Sequence, residues 1–190
     1  MKTKNGIELE NLQSNSFTSS YLTVPKIIAD TKKPMLFDQK ARYKVLRSIE
    51  LTKWLCVYHK RNFDDAENLL NSMNQACEGI GIKIKGPEWL EMDSYDGKKW
   101  LEEVDNLKPS SEFQIVVFVL DRGTEHLYNR IKTHSISMRG YISQVVKTQS
   151  LKKNALSVCS NLLKQINSKL GGASYAVDYD SLVKVKLNFF

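Results

Sequence analysis

The chain has 190 residues, 42% hydrophobic and 26% charged, with a formal net charge of +7, which fits one soluble globular domain with extensions. No apolar run approaches the roughly 20 residues of a membrane span, and Met1-Lys-Thr-Lys-Asn-Gly6 leads into no apolar signal core. Cys56, Cys77 and Cys159 are odd in number and far apart, which argues against a disulfide framework or a Cys-x-x-Cys metal site and points to a reducing, intracellular compartment, cytoplasmic or nuclear.

Residues 1–35 are rich in Ser, Thr, Asn and Lys and lack a sustained period, so they read as a linker or extended arm, with Pro25 and Pro34 favouring extended backbone. Leu51–Tyr58 is apolar and β-prone and predicts a strand. A helix follows from Phe63, with Asn62 or Asp64 as its cap and Ala66, Leu69, Leu70, Met73, Ala76 and Cys77 as its apolar stripe; Gly79 and Gly81 end it. Ile80–Ile84 reads as a short second strand stopped by Gly86-Pro87, and Asp96–Asn106 as a short helix. Phe113–Leu120 is nearly continuous in apolar residues, the pattern of a central parallel strand covered on both faces. A helix from about Glu125, a strand at Tyr141–Val146 and a final helix with the stripe Leu156, Cys159, Leu162, Leu163, Ile166 and Leu170 complete the alternation, closed by Gly171-Gly172. Leu182–Leu187 alternates and predicts a two-faced strand.

This order predicts a single α/β domain: a Rossmann-like, mostly parallel sheet of about four strands flanked by helices. Ligands of such sheets bind beyond the carboxyl ends of the strands against helix N-termini, which directs attention to the loops after Leu120 and Val146.

Charge adds a second constraint. Residues 122–190 carry 11 basic and 3 acidic side chains, a balance of +8, against −1 for residues 1–121. A basic segment on a near-neutral body suits a polyanion, nucleic acid first. A solvated lysine-rich face accounts for it equally well.

Within this basic third, Tyr128 and Lys132 stand four apart on one helix face, an aromatic plane for stacking on a base and a point charge for a phosphate. Gln144 offers amide hydrogen bonds from the next strand. Gln165 and Lys169 are again four apart, at the edge of the last helix's apolar stripe. Singly, each has an ordinary explanation: a packed tyrosine, solvated lysines, a half-buried glutamine, helix surface. Jointly they form a set of donors plus one ring, without converging carboxylates or histidines, which suits holding a phosphorylated nucleotide rather than hydrolysing one. His59, His126 and His134 have no ligand-like spacing, and Gly79-Ile-Gly81 is no dinucleotide fingerprint because it follows a helix.

Leu127-Tyr-Asn-Arg-Ile-Lys132, Ser143-Gln-Val-Val146 and Lys164-Gln-Ile-Asn-Ser-Lys-Leu-Gly-Gly172 resemble the MID domain of Argonaute/Piwi proteins, over residues 50–172. The resemblance implies a module that anchors the 5′ end of a small guide RNA of piRNA or siRNA type in RNA silencing. Tyr128, Lys132, Gln144, Gln165 and Lys169 would then contact the 5′-phosphate. Gly123, Thr124 and Glu125 would face the first base, with backbone N–H groups around them completing the pocket. Gln165 and Ser143-Gln-Val-Val are Piwi-like and imply Mg²⁺ at the phosphate with Gln165 as a ligand. The family's slicer chemistry lies in a following PIWI domain, which this sequence stops short of. The expectation is therefore a binding domain and not an enzyme, with that PIWI domain as a partner in a longer natural chain, and with no membrane or DNA partner. The implied organisation is 1–35 linker or arm, 36–172 MID-like domain, and 173–190 extension with one strand. The rival readings are a nucleotide-dependent hydrolase or transferase on a similar sheet, and a module that binds acidic proteins.

Overall fold

The computed structural model describes residues 26–29, 34–35 and 43–178. In chain order they form β1 (Lys26–Ile28), β2 (Pro34–Met35), β3 (Trp54–His59), α1 (Phe63–Ile80), β4 (Glu88–Met92), α2 (Gly97–Asn106) and α3 (Pro109–Glu112). Then follow β5 (Ile115–Leu120), α4 (Leu127–Thr133), a π-helical turn (His134–Arg139), β6 (Ser143–Lys147), α5 (Thr148–Lys169) and β7 (Ala176–Asp178).

The main sheet has the order β4-β3-β5-β6 and is parallel throughout. The apolar run of β5 explains its central place. Ile115, Val117 and Val119 pack into one core with Leu69 and Met73 of α1 and Cys159, Leu162 and Leu163 of α5. Val116, Phe118 and Leu120 pack into the other core with Trp100 and Val104 of α2 and Leu127 and Ile131 of α4. Burial on both faces leaves no polar position in the strand. The result is a three-layer sandwich, with α1 and α5 over one face and α2 and α4 over the other. β6 is the edge strand between α4 and α5, and this places the site described below.

Several boundaries differ from the sequence expectation. The first strand begins at Trp54; Leu51 makes only an isolated bridge to Ile84. The expected strand at Ile80–Ile84 does not form. Ile80 is the last residue of α1, Gly79 stays helical, and Gly81 (φ 75°) ends the helix, donating its N–H to the Cys77 carbonyl at 2.8 Å. The second strand is instead β4, beyond Gly86-Pro87. Its sequence, Glu-Trp-Leu-Glu-Met, is half polar because it is an edge strand open on one side. Asn62 stands at the cap position of α1 but makes no capping bond. α4 begins at Leu127, and α5 begins directly after β6, so there is no loop after Val146; Asn154 (φ −162°, ψ 76°) kinks α5. The expected strand Leu182–Leu187 lies outside the described residues.

β1 pairs antiparallel with β2 and with β7, so the described part of the N-terminal arm is tied to the segment beyond Gly172. Arg47 and Ala173 exchange backbone hydrogen bonds at 2.9 Å each. Asn167, buried at the end of α5, fastens this junction. Its Oδ1 accepts from the Ile49 N–H at 2.8 Å, and its Nδ2 donates to the Arg47 carbonyl at 2.9 Å. Gly172 passes so close that a Cβ there would overlap the Asn167 amide, and Gly171 (φ 90°) makes the left-handed turn that brings it there. The Lys-Leu-Gly-Gly ending is thus set by packing, and it fixes where Lys169 emerges.

Candidate nucleic-acid interface

In a parallel ladder, successive residues turn their backbone groups to opposite sides. The Ile142 carbonyl accepts from Val116 in β5 at 2.9 Å. Ser143, one residue on, therefore presents its carbonyl to the open edge. Two lysines converge on it from the two helix layers. Lys132 at the end of α4 donates to the Ser143 carbonyl at 3.1 Å and to its Oγ at 3.0 Å. Lys169 at the end of α5 donates to the same carbonyl at 2.8 Å and to Gln144 Oε1 at 2.7 Å. Gln144, 8% exposed, donates through Nε2 to the Val145 carbonyl at 3.1 Å and reaches Gln165 Oε1 at 3.5 Å. Tyr128 is 44% exposed, with the Lys132 Nζ 6.0 Å from its ring centroid. The structure thus brings Tyr128, Lys132, Gln144, Gln165 and Lys169 together along one strand edge.

The electrostatics favour an added anion. Among the described residues neither ammonium meets a carboxylate; both are held by neutral oxygens. Burial lowers the pKa of Lys132, and burial followed by the charge of Lys132 lowers that of Lys169. Because the folded state disfavours the charged form, the unfolded chain holds more protons between the lowered values and the ordinary lysine value. Stability should therefore rise with pH across that window. The expected result is a rise in melting temperature on the approach to the ordinary lysine range that is reduced in Lys132→Ala and Lys169→Ala, measured by thermal denaturation against pH.

A cavity of about 390 Å³ lies over the lysines, lined by Lys132, Ile136, Tyr141, Ile142, Ser143 and Lys169. A second, of about 300 Å³, runs between β6 and α5 past Gln144, Asn161 and Gln165. Larger cavities of about 490 and 540 Å³ beside α2 bring Glu102 and Asp105, and Glu91, Asp93 and Glu103, to their walls. The second of these is dominated by carboxylates, and in the first Glu102 and Asp105 already engage Lys98, His134 and Arg139.

The site's polarity departs from expectation. It occupies the amino end of β6 and the carboxyl ends of α4 and α5, whose partial negative charge suits lysines. The start of α4 does not offer free N–H groups. Leu127 N donates to Thr124 O at 2.9 Å, Tyr128 N to Glu125 O at 3.1 Å, and Thr124 N to Asp121 Oδ1 at 2.9 Å. Asp121 itself is the anion held there. Burial works against its ionisation, but the Asn62 side chain, the Thr124 hydroxyl and the backbone N–H groups of Thr124 and Gly123 outweigh that and keep its carboxyl below the usual carboxylate range.

Two of the three loop residues are engaged within the protein. Thr124 is 0% exposed, its hydroxyl accepting from Asp121 N at 2.9 Å, so its side chain latches the loop and does not face a base. Glu125 is paired with Lys147 at 2.7 Å. Gly123 is exposed and packs against Tyr95. Sequence reasoning missed Ser143 as the organiser of the site. Its carbonyl receives both lysines and its Oγ lies 2.9 Å from Ser135 Oγ. No side-chain pattern signals a backbone acceptor.

The fit to Mg²⁺ is poor in this chain alone. Gln165 offers one amide oxygen, Gln144 Oε1 is taken by Lys169, and the neighbouring groups are ammoniums. No His/Cys/Asp/Glu group able to hold a metal occurs among the described residues. Among these residues no helix is long and apolar enough to cross a membrane.

A family profile described as "Piwi domain" matches residues 115–189. The sequence is 29% identical to Protein argonaute-3 of Drosophila melanogaster over 136 residues, covering 70% of this chain and 16% of that protein. The structure resembles that of Drosophila Piwi with a TM-score of 0.69 at 19% identity, covering 83% of this chain and 23% of that one. It resembles the Arabidopsis thaliana AGO5 MID domain with a TM-score of 0.55 at 20% identity, covering 66% of this chain and 92% of that one. The α/β sandwich shares its fold with these solved structures, an isolated MID domain among them. The sequence is similar to Argonaute/Piwi proteins, and the chain spans about one sixth of the length of the argonaute-3 protein it matches.

Proposed function

We propose that this domain binds the 5′-phosphorylated first nucleotide of a small guide RNA, by binding and not by catalysis. The observation that carries the reading is the pair of ammoniums, Lys132 and Lys169, meeting on one edge-strand carbonyl with no carboxylate partner among the described residues. A phosphate placed against them gains charge-assisted hydrogen bonds of about 1.5–3 kcal/mol each. Gln144 Nε2 adds a neutral donor, and the exposed Tyr128 ring offers a face for the first base.

Mg²⁺ enters this reading only with the phosphate present. Gln165 would be its one side-chain ligand here, with phosphate oxygens and water supplying the rest. In a longer natural chain a PIWI domain would lie beside this edge. The proposed compartment is intracellular, consistent with three free thiols.

The experiment is an amide-resolved NMR titration with the four nucleoside 5′-monophosphates and their unphosphorylated nucleosides. The monophosphates should shift Ser143, Gln144 and Lys169, and the nucleosides should leave those amides in place. Identical responses to both, or shifts scattered over surface lysines, would contradict the proposal.

A further inference from the structure

The loop Asp121–His126 is latched internally by Thr124, yet contacts from outside also set its position. On the α5 side, Glu125 pairs with Lys147, and Gln149, with its amide oxygen toward Arg122, accepts from Nη2 at 2.6 Å and Nε at 3.0 Å. The Glu125–Lys147 pair is about half exposed on both sides, and exposed ion pairs of this kind hold geometry weakly. On the α2 side the contact is different in kind. The Tyr95 ring lies against Gly123 so closely that a Cβ on Gly123 would come within 2.8 Å of Tyr95 Cε1. Tyr95 is in turn stacked on His59, with centroids 4.2 Å apart and planes 15° apart. His59 is buried, and its Nδ1 accepts from the Arg61 N–H at 3.2 Å, which fixes the ring's orientation. A buried, oriented ring at the end of β3 thus backs Tyr95, and Tyr95 backs the loop.

From this geometry we infer that Tyr95 is a positioning residue for selection of the first nucleotide. It holds the Gly123 backbone at one distance from the base that would stack on Tyr128. The inference rests on the 5′-nucleotide reading above. Tyr95 touches neither lysine, so its effect should fall on base discrimination and not on phosphate affinity. The contact is made by the ring edge and the stack by the ring face, so the hydroxyl should be dispensable.

The test uses four short 5′-phosphorylated RNAs that differ only in their first base, each with a 5′-hydroxyl twin. They are titrated against the whole chain, Tyr95→Ala and Tyr95→Phe. The unmodified protein should spread its affinities across the four first bases by about fivefold or more. Tyr95→Ala should compress that spread to about twofold, with the phosphate-to-hydroxyl affinity ratio unchanged, and Tyr95→Phe should restore it. Should Tyr95→Ala fail to fold, Gly123→Ala perturbs the same contact from the exposed loop and should compress the spread likewise. A spread that survives Tyr95→Ala, or a phosphate preference with no base spread in the unmodified protein, overturns the inference. A phosphate-to-hydroxyl ratio near one overturns the parent reading, and this one with it.

Discussion

Lys169→Ala is expected to weaken binding of a 5′-phosphorylated RNA roughly 10- to 100-fold, the value of one charge-assisted contact to a phosphate. It should leave the 5′-hydroxyl RNA nearly unaffected. Lys132→Ala should act in the same direction. The two losses should not add, because both ammoniums share the Ser143 carbonyl and removing one lets the other relax toward it. Lys169→Arg should recover only part of the affinity, since a planar fork cannot reproduce the contacts of a compact ammonium at both Ser143 O and Gln144 Oε1. Fluorescence anisotropy with the paired RNAs reads all three variants. Equal weakening of both RNAs would assign Lys169 to general charge.

Asn167→Ala is expected to destabilise the fold by about 1–3 kcal/mol. It leaves the part-buried Ile49 N–H without its acceptor and removes one of the two donors to the Arg47 carbonyl, which keeps the Ala173 N–H. The melting temperature should fall by roughly 3–10 °C for a domain of this size. The same change should loosen the end of α5, two residues before Lys169, so phosphate affinity should fall although Asn167 lies outside the ligand set. Asn167→Asp should recover the bond from Ile49 N but not the one to Arg47 O, and should land between. Differential scanning calorimetry and chemical denaturation separate the stability effect from the binding effect. Unchanged stability in Asn167→Ala would contradict the account of this junction.

The sheet was legible because burial on both faces leaves a plain mark: Phe113–Leu120 reads as a central strand and is one. The grouping of Tyr128 with Lys132 and of Gln165 with Lys169 was legible because a helical spacing of four puts each pair on one face. What escaped has physical reasons. β4 is an edge strand with exposed Glu88 and Glu91, so it lacks the apolar run that would announce it. Gly79 and Gly81 look alike in sequence, and only the second adopts φ 75°. The Thr124 latch and the Tyr95 contact depend on loop geometry, and Ser143 acts through a carbonyl that any residue carries. The general rule for such sheets points to the carboxyl ends of the strands. Here the cations come from helix C-termini at the opposite edge, where the partial charge of the helices already favours them.

On the proposed reading the β6 edge recognises a terminal phosphate and not charge in general. The most direct measurement is the affinity ratio between one short RNA bearing a 5′-phosphate and the same RNA bearing a 5′-hydroxyl, titrated at physiological ionic strength with and without Mg²⁺. The expected ratio is about 30 or more, retained in large part when Mg²⁺ is chelated, because the two lysines supply most of the charge. A ratio near one, with both affinities falling equally as salt rises, would contradict it and leave the lysines as a basic surface.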